Sequence, residues 1–340
     1  MDRGKEGSRS VGKIPVHKQT GNYLQKKNGE TGDPSSGWGV QAKRGQNENI
    51  QSYLSSGESL LGGRKRMKIS KSKLLSFITC PEKYYLGYEL NVRPAKTPSD
   101  LIIGSSTHHL IASHYIRERA GEPCDLQEFL AHFWSRYRLD NTDFLTREDL
   151  EAGMHQSLEF ARLFLSETDF EPLEVEYRFS LPVVNVKTGE VIPDLELTGI
   201  IDLIDRIDGK SRAIEIKTKS RRPDGFQAEM SMELTCYAYW LRFLDDSETI
   251  PVSYVNIVKN RKPYIHWQNQ ERSTEDFVDL FHTIKTVAQN ISDGRFYKNP
   301  GVHCNWCDYK PVCSKDVDAV KERFSGETIE TLQDQGLIQV

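Results

Sequence analysis

The sequence lacks any long hydrophobic run. No apolar stretch approaches the roughly 20 residues that a membrane-spanning helix needs, and the N-terminal region has no apolar core of the kind found in signal peptides. These absences argue against a membrane protein and against an exported one. We therefore expect a soluble, cytoplasmic protein with no membrane partner.

Cysteine is also scarce, with six residues in a chain of 340. So few cysteines in a cytoplasmic chain of this size argue against a disulfide framework, and they favour metal ligation or simple burial of the thiols. The chain has no internal repeat and no glycine-rich loop for binding nucleotide phosphates. Its ordinary content of apolar and aromatic residues allows one large domain or two small ones.

Apolar periodicity is missing from residues 1–66, which are rich in Gly, Ser, Asn, Gln and Lys. Such a composition cannot offset the entropy lost on ordering, so we predict a disordered tail. Met67 opens the first patterned segment, which leads to the hypothesis that Met67 is the biological start. In the alternative, the tail is native and binds phosphates without sequence preference. Residues 67–340 are predicted to form a single domain.

The net charge of −4 is unevenly distributed along the chain. Residues 1–66 carry 12 Lys and Arg against 6 Asp and Glu, so the remainder of the chain is acidic. A nucleic-acid partner must therefore be held by local basic patches rather than by the overall charge.

Periodic segments of both kinds follow the tail, and they predict the fold class. A helix is expected after an N-cap at Ser70 or Ser72, and a block of helices stands before the sheet. Further helices are predicted at 101–119, 125–138, 146–168, 227–245 and 274–292, and strands at 173–184, 195–207, 212–218, 250–258 and 263–268. This order predicts an α/β or α+β domain with a mixed sheet.

One stretch of this sheet carries an unusual group of charges. Asp208-Gly209 is a dipeptide that two-residue hairpin turns favour, and a turn there places Asp202 opposite Glu215. Lys217 shares a face with Glu215 because side chains alternate along a strand. Two carboxylates and an ammonium suit a divalent metal beside a phosphate. The alternative is a solvated hairpin face.

The acid-x-Lys tripeptide alone is weak evidence. It occurs three times, starting at Asp208, Glu215 and Asp308, which is about as often as chance predicts for this composition. Only the tripeptide at Glu215 lies inside a strand-like apolar run with a second acid in register. The context therefore carries the interpretation.

Two helices can add side chains to this group. His108 lies on the border of the buried face of its predicted helix, whereas His109 is expected to point further towards solvent, so His108 is the better candidate ligand. Glu233 and Tyr237 lie one turn apart on a later helix. The basic run Lys217, Lys219, Arg221 and Arg222 leaves the carboxylates where a phosphate backbone would approach, unless it is only a solvated turn.

A cysteine cluster near the C-terminus indicates a second site. Cys304, Cys307 and Cys313 are closely spaced, and Cys80 is the natural fourth ligand. Thiolate-rich sites favour zinc or an iron–sulfur cluster, and the alternative is a set of buried free thiols. A fourth ligand from Cys80 would join the first helix to the last segment. Cys124 and Cys236 stand alone in helical patterns and are expected to be ordinary buried thiols.

These motifs, taken in order, resemble the PD-(D/E)XK nucleases of the RecB-like type with an iron–sulfur cluster. That group includes the CRISPR-associated adaptation exonuclease and the AddB nuclease domain. The resemblance covers about residues 70–315 and rests on ITCPEKYYLGY, GSSTH at 104–108, GIID at 199–202, EIK at 215–217, the Tyr-Ala-Tyr helix and Cys-x2-Cys-x5-Cys. It implies a restriction-endonuclease-like fold, with a mixed central sheet flanked by helices and a C-terminal cluster that holds the domain together.

The resemblance also implies roles for the site residues. His108, Asp202, Glu215 and the carbonyl of Ile216 would ligate Mg²⁺ or Mn²⁺, and Lys217 would orient the attacking water and stabilise the transition state. Tyr237 would belong to the same catalytic group. A structural [4Fe-4S] cluster would be held by Cys80, Cys304, Cys307 and Cys313. Glu233 departs from the family, which usually has Gln there, so it would bind a second metal through water or weaken the grip on DNA phosphate.

The function predicted is that of a Mg²⁺- or Mn²⁺-dependent DNA nuclease, an exonuclease acting on single-stranded DNA ends in DNA repair, recombination or CRISPR adaptation. A second hypothesis is a non-catalytic DNA-binding or assembly subunit beside a helicase or integrase partner. A third is a zinc-stapled interaction domain.

Overall fold

The computed structural model describes residues 66–169, 171–245 and 247–339. The predicted tail, apart from Arg66, lies outside these residues. The helices are α1 (Lys71–Thr79), α2 (Pro81–Tyr84), α3 (Ser99–Arg119), α4 (Leu126–Trp134), α5 (Arg147–Glu167), α6 (Gly225–Glu229), α7 (Met232–Leu241), α8 (Thr274–Ser292), α9 (Lys310–Ser314), α10 (Val317–Arg323) and α11 (Gly326–Asp334). A π-helical turn spans Tyr85–Glu89 and a 3₁₀ turn spans Val302–Trp306.

The strands of the described residues are β1 (Met67–Ser70), β2 (Glu174–Val184), β3 (Val191–Ile207), β4 (Lys210–Lys219), β5 (Ile250–Val258) and β6 (Tyr264–Arg272). They form one sheet in the order β1-β3-β4-β5-β6, and β2 also pairs with β3. The β1–β3 and β4–β5 pairs are parallel, while the β2–β3, β3–β4 and β5–β6 pairs are antiparallel. The mixed sheet predicted from the sequence is therefore confirmed.

Helices cover both faces of this sheet. One hydrophobic core contains residues of α1, α7 and α8, and the other contains residues of α3, α4 and α5. Strand β4 supplies Ala213 to the first core and Ile214 and Ile216 to the second, as alternation along a strand requires. All nine residues of β5 are buried because helices cover it on both sides. The fold is consistent with the restriction-endonuclease-like class predicted.

Most predicted elements are confirmed, with ends that differ by a few residues. The helix predicted at 227–245 is instead two helices, since α6 ends at Glu229 and the hydroxyl of Ser231 caps α7 by accepting the N–H of Leu234. Strand β1 was not predicted, because its four residues are too few for a periodic pattern. Ser70 caps α1 through the N–H of Lys73, as predicted.

The β3–β4 hairpin has the predicted turn and register. Asp208 and Gly209 have φ angles of 50° and 80°, so both occupy the left-handed region that this turn requires. The ladder runs from Ile207 opposite Lys210 to Leu203 opposite Ile214 and stops there. The sequence predicts that Asp202 faces Glu215 in this ladder, and this prediction is wrong because the ladder stops one residue before Asp202. Its Oδ2 accepts the N–H of Ile216 at 2.8 Å instead.

Two glycines of the sequence motifs lie where neighbouring chain segments approach closely. A Cβ on Gly199 would lie 2.5 Å from Cζ of Phe179, its cross-strand partner on β2. A Cβ on Gly104 would lie 3.3 Å from Oγ1 of Thr218, where α3 crosses β4. The second contact brings the helix that carries His108 against the strand that carries Glu215.

No helix is long and apolar enough to cross a bilayer within residues 66–339, apart from positions 170 and 246, which the structure does not describe.

Substitution of Gly199 by alanine is expected to destabilise the protein by about 1–3 kcal/mol, because the methyl group overlaps the Phe179 ring. That ring cannot move aside easily, since it stacks on Trp240 with a centroid distance of 5.8 Å. Chemical denaturation measures the free energy of unfolding. The double variant Gly199→Ala/Phe179→Leu should recover part of the loss. Gly326→Ala is the control, because nothing lies within 4 Å of its Cβ position; equal effects of the two alanines would contradict the overlap.

Candidate active site

The structure brings together the predicted site residues of the sheet and of two helices. Glu215 and Lys217 lie on β4, Asp202 on β3 where it leaves β4, and His108 on α3. Oδ2 of Asp202 is 3.4 Å from Nδ1 of His108. Glu233 and Tyr237 extend from α7 to the same cluster, where both contact Glu215 or its partner Lys217.

His108 and Asp202 form a close polar pair. Burial disfavours charge on both groups, but the Asp202 charge raises the pKa of His108, while His108 and the Ile216 N–H lower the pKa of Asp202. His109 is less enclosed than His108, as expected, but its ring is not free in solvent. Its ring stacks on Phe133 with a centroid distance of 5.4 Å, away from Asp202, because α4 packs against that side of α3.

Glu215 is the most enclosed acid of the cluster, with 3% of its surface exposed. Its Oε1 accepts hydrogen bonds from Nζ of Lys217 at 2.5 Å and of Lys71 at 3.1 Å, and its Oε2 accepts one from the Tyr237 hydroxyl at 2.7 Å. Burial and the nearby Asp202 charge nevertheless raise the pKa of Glu215 to about 7. A cation beside this carboxylate would relieve both effects.

Glu233 is held between two lysines. Its carboxylate pairs with Lys71 and with Lys217, the latter at 2.9 Å, and Oε2 accepts the Tyr254 hydroxyl at 2.8 Å. Burial opposes charge on Glu233, yet the two ammonium groups lower its pKa to about 2. Glu233 stands where the nucleases that the sequence resembles usually have Gln, and Lys71 neutralises its negative charge.

Lys71 is a site residue that the sequence reasoning missed. It is the first residue of α1, directly after the cap Ser70, and the pairing of β1 with β3 places it beside Glu215. Burial opposes its charge, but Glu215 and Glu233 raise its pKa. A lysine at the start of an amphipathic helix usually faces solvent, so the sequence gives no signal for this role.

Glu176 is the second missed residue. It lies on β2 with a φ angle of 51°, between residues that pair with Leu203 and Ile201, and so beside Asp202. Burial and the Asp202 charge raise its pKa. Left-handed backbone conformations are uncommon for residues other than glycine, and they concentrate at functional sites. Its position could have been inferred only from the β2–β3 register.

Some of these side chains line a cavity of about 980 Å³. The charged and titratable groups of its lining include His108, Glu176, Asp202, Lys71, Arg178 and Lys217. Ser70, Ser72, Thr198 and Thr218 add hydroxyl groups. The cavity therefore has acids and bases within one polar space, as hydrolysis of a phosphate ester requires.

The cysteines predicted to bind a cluster are brought partly together. Cys80, between α1 and α2, lies close enough to Cys307 and Cys313 to raise their pKa values further, beyond the effect of burial. The Asn299 N–H donates to Sγ of Cys80 at 3.5 Å, and the Glu82 N–H donates to the Tyr297 carbonyl at 3.0 Å. The first helices are therefore packed against the C-terminal segment.

The other two cysteines have separate surroundings. Cys236 is fully buried in α7, where burial raises its pKa to about 12. Cys124 is only half-buried. The sequence predicts that it lies in a helix, but it lies in the irregular segment between α3 and α4, because α3 ends at Arg119. All six cysteines are free thiols.

Comparison with protein families decides the class of this site. The model of the PD-(D/E)XK nuclease superfamily matches residues 68–314, which include the clustered acids and lysines and all four of Cys80, Cys304, Cys307 and Cys313. The chain belongs to the PD-(D/E)XK nuclease superfamily. That part of the predicted resemblance is confirmed, while the RecB-like iron–sulfur type stays a prediction.

Two solved structures are similar to this superfamily member. A putative exonuclease from Eubacterium rectale has 14% identity, covers 79% of this chain and 94% of its own, and gives a TM-score of 0.44. LHK-Exo, solved in complex with dAMP, has 10% identity, covers 66% of this chain and 95% of its own, and gives a TM-score of 0.24. No curated protein shows significant sequence similarity to the chain.

PD-(D/E)XK nucleases generally use divalent metal ions such as Mg²⁺. Among the described residues, no group of three His, Cys, Asp or Glu side chains has the geometry of a metal site. The oxygens of Glu215 instead accept hydrogen bonds from Lys71, Lys217 and Tyr237. The donor types nevertheless fit such an ion. Asp202 and Glu215 offer carboxylate oxygens, His108 an imidazole nitrogen, and the raised pKa of Glu215 marks a place where positive charge is favoured.

A double-mutant cycle on Lys71→Met and Glu233→Gln tests the balance between these two residues. Each single change should lower the free energy of unfolding by about 1–3 kcal/mol, because it leaves a mostly buried charge with fewer partners. The double variant should be more stable than the sum of the singles predicts, by about 0.5–3 kcal/mol.

The matched control is the exposed pair of Lys187 and Glu275, whose Nζ and Oε1 are 2.8 Å apart. Its coupling should be indistinguishable from zero, since solvent screens it. Additive losses at Lys71 and Glu233 would show that the two charges do not depend on each other.

Proposed function

We propose that this protein is a Mg²⁺- or Mn²⁺-dependent DNA nuclease, and an exonuclease acting on single-stranded ends. The observation that carries the proposal is the meeting of Asp202, His108 and Lys217 in one cavity of a PD-(D/E)XK chain, where Lys217 donates to the buried Glu215 at 2.5 Å and His108 is 3.4 Å from Asp202. The activity would serve DNA repair, recombination or CRISPR adaptation, beside a helicase or integrase-type partner.

In this proposal, His108, Asp202, Glu215 and the Ile216 carbonyl hold the metal ion, and Glu176 stands next to them. The ion supplies Lewis-acid activation of water and of the phosphodiester. Lys217 remains charged because Glu215 and Glu233 raise its pKa against the effect of burial. Its ammonium can orient the water for in-line attack and stabilise the negative charge that develops on phosphate.

Tyr237 and Glu233 position these groups. Burial raises the pKa of Tyr237 well above its ordinary value, so the phenol stays protonated and donates to Oε2 of Glu215. Glu233 restrains the Lys217 ammonium from the opposite side. Neither group is required to contact the substrate for this role.

The proposed DNA path leaves the cavity at the end of β4. Lys219 and the exposed Arg221 and Arg222 follow Lys217 there, and the Lys219 carbonyl accepts the Lys259 N–H at 2.7 Å, which brings the basic β5–β6 turn alongside. Phe226 is 66% exposed next to this run. Cations interleaved with an exposed aromatic ring suit a single strand, whose bases stack without sequence preference.

A non-catalytic DNA-binding or assembly subunit is the second candidate. The observation that favours it is the ion pairing of both site lysines with Glu233, which neutralises charge that a phosphate would otherwise meet. The two candidates differ in whether the intact cluster turns over DNA.

Mn²⁺-dependent digestion of end-labelled single-stranded DNA tests the activity. Lys217→Ala should lower the rate by at least about 10²-fold, because the developing charge loses its ammonium. Lys285→Ala, a lysine on the outer surface of α8, should retain the rate. Circular single-stranded DNA should resist digestion by an exonuclease. Full activity of Lys217→Ala, with unchanged circular dichroism, would refute the catalytic assignment.

We also propose that Cys80, Cys304, Cys307 and Cys313 hold a [4Fe-4S] cluster that is structural. The approach of Cys80 to Cys307 and Cys313 supports it. Protein prepared without oxygen should contain iron and sulfide and absorb as a brown protein. Cys307→Ser should lose the colour and much of the thermal stability, while Cys124→Ser keeps both. Zinc without sulfide would refute the cluster and favour a zinc-stapled domain.

A further inference from the structure

A second cavity adjoins the catalytic one. It has a volume of about 330 Å³ and shares Ser72 with the catalytic cavity. Its lining includes Leu75, Ser76 and Thr79, which with Ser72 form one face of α1 at the spacing of i, i+3, i+4 and i+7. The rest of the lining is Lys83, Gly87, Tyr88, Arg93 and Tyr309.

The charge of this second cavity has one sign. Lys83 and Arg93 line it, no acid does, and neither cation forms an ion pair within the described part of the chain. The Arg93 guanidinium lies 5.7 Å from the centre of the Tyr88 ring, and Nζ of Lys73 lies 5.7 Å from the same centre. Tyr88 is therefore flanked by two cations.

The nearby acids are engaged elsewhere. Glu89 accepts the Tyr84 hydroxyl at 2.9 Å, and Asp308 pairs with Arg323. The positive charge of Lys83 and Arg93 is consequently not cancelled by these two acids, and Lys83 also lies near the Cys307 thiol. An anion entering the cavity would find two cations and the hydroxyl groups of Ser72 and Ser76, while the Thr79 hydroxyl donates to the Leu75 carbonyl at 2.8 Å.

The floor of the cavity is fixed by packing. A Cβ on Gly87 would lie 2.8 Å from the Tyr309 hydroxyl, so the chain approaches the ring as closely as glycine permits. That hydroxyl donates to the Val92 carbonyl at 3.0 Å, and the Tyr309 ring stacks on Phe324. Because these contacts hold the floor, the cavity keeps its shape before any ligand arrives.

The second cavity lies at a distance that suits a strand held in the first. Ser72 borders the catalytic cavity, and Thr79 lies seven residues further along α1, which is about 10 Å at 1.5 Å per residue. A single strand, whose backbone is more extended than the rise of about 3.4 Å per nucleotide in a duplex, crosses that length within a few nucleotides. A strand with its scissile phosphate at Lys217 could therefore place a later phosphate between Lys83 and Arg93.

We propose that Lys83 and Arg93 form a phosphate-binding subsite for the DNA strand, in the cavity next to the one proposed to hold the scissile bond. Ser76 contributes a hydroxyl donor, and Tyr88 offers a ring face to a base. The choice of DNA as the ligand of this subsite rests on the proposed nuclease function. The binding of a phosphate by Lys83 and Arg93 does not require Asp202, Glu215 or Lys217.

The experiment measures binding of a fluorescein-labelled thymidine 20-mer to the full-length protein in EDTA, by anisotropy over a salt series. Lys83→Gln/Arg93→Gln should lower the affinity at least about fivefold. It should also reduce the slope of log affinity against log salt by about 1.4, because each contact with a single-strand phosphate contributes about 0.7. Arg93→Lys should preserve the slope, since it keeps the charge.

Arg162→Gln/Lys285→Gln is the matched control, because it removes the same charge from positions that line neither of these two cavities. An affinity and slope equal to those of the control would overturn the subsite. Inorganic phosphate should compete more strongly than chloride of equal ionic strength with wild type, and no more strongly than chloride with the double variant. If phosphate and chloride competed equally well for the wild-type protein, the proposed subsite would also be overturned.

Failure of the subsite and failure of the nuclease proposal can be told apart. Binding that depends on Lys83 and Arg93 in a protein that degrades no DNA with Mn²⁺ would support the subsite and defeat the nuclease. Degradation of DNA by wild type, with unaltered binding by the double variant, would defeat the subsite alone.

Discussion

The structure of the site depends on a network in which two lysines are shared by two buried carboxylates. Lys71 and Lys217 each contact both Glu215 and Glu233, and these four side chains come from α1, β4 and α7. Buried charges are tolerated only with partners. The network therefore fixes how α1 and α7 are placed against the central strand.

This network also separates the behaviour of two acids that share the same lysines. Glu233 meets two ammonium groups, whose charges outweigh the effect of burial, so its pKa falls to about 2. Glu215 meets the same ammonium groups but also burial and the charge of Asp202, so its pKa rises to about 7. One acid is a permanent anion that restrains Lys217, and the other is the carboxylate most ready to accept a cation.

The sequence predicts the parts of this site that depend on local rules. The Asp208-Gly209 turn determines the hairpin register, strand alternation puts Glu215 and Lys217 on one face, and helical spacing selects His108. Lys71 and Glu176 escape prediction because their places depend on the pairing of β3 with β1 and β2, which no local pattern encodes. The end of the β3–β4 ladder before Asp202 has the same origin, since β1 and β4 share one edge of β3, with β1 at Leu195 to Thr198 and β4 at Leu203 to Ile207.

Strand β5, with all nine residues buried, has a consequence for motion at the site. It is hydrogen-bonded along β4, the strand that carries Glu215 and Lys217, so we expect the amides beneath these two side chains to be among the slowest to exchange with solvent. The exposed rim around Arg221, Arg222 and Phe226 has no such protection. If a DNA strand binds as proposed, the rim rather than the sheet would adjust to it.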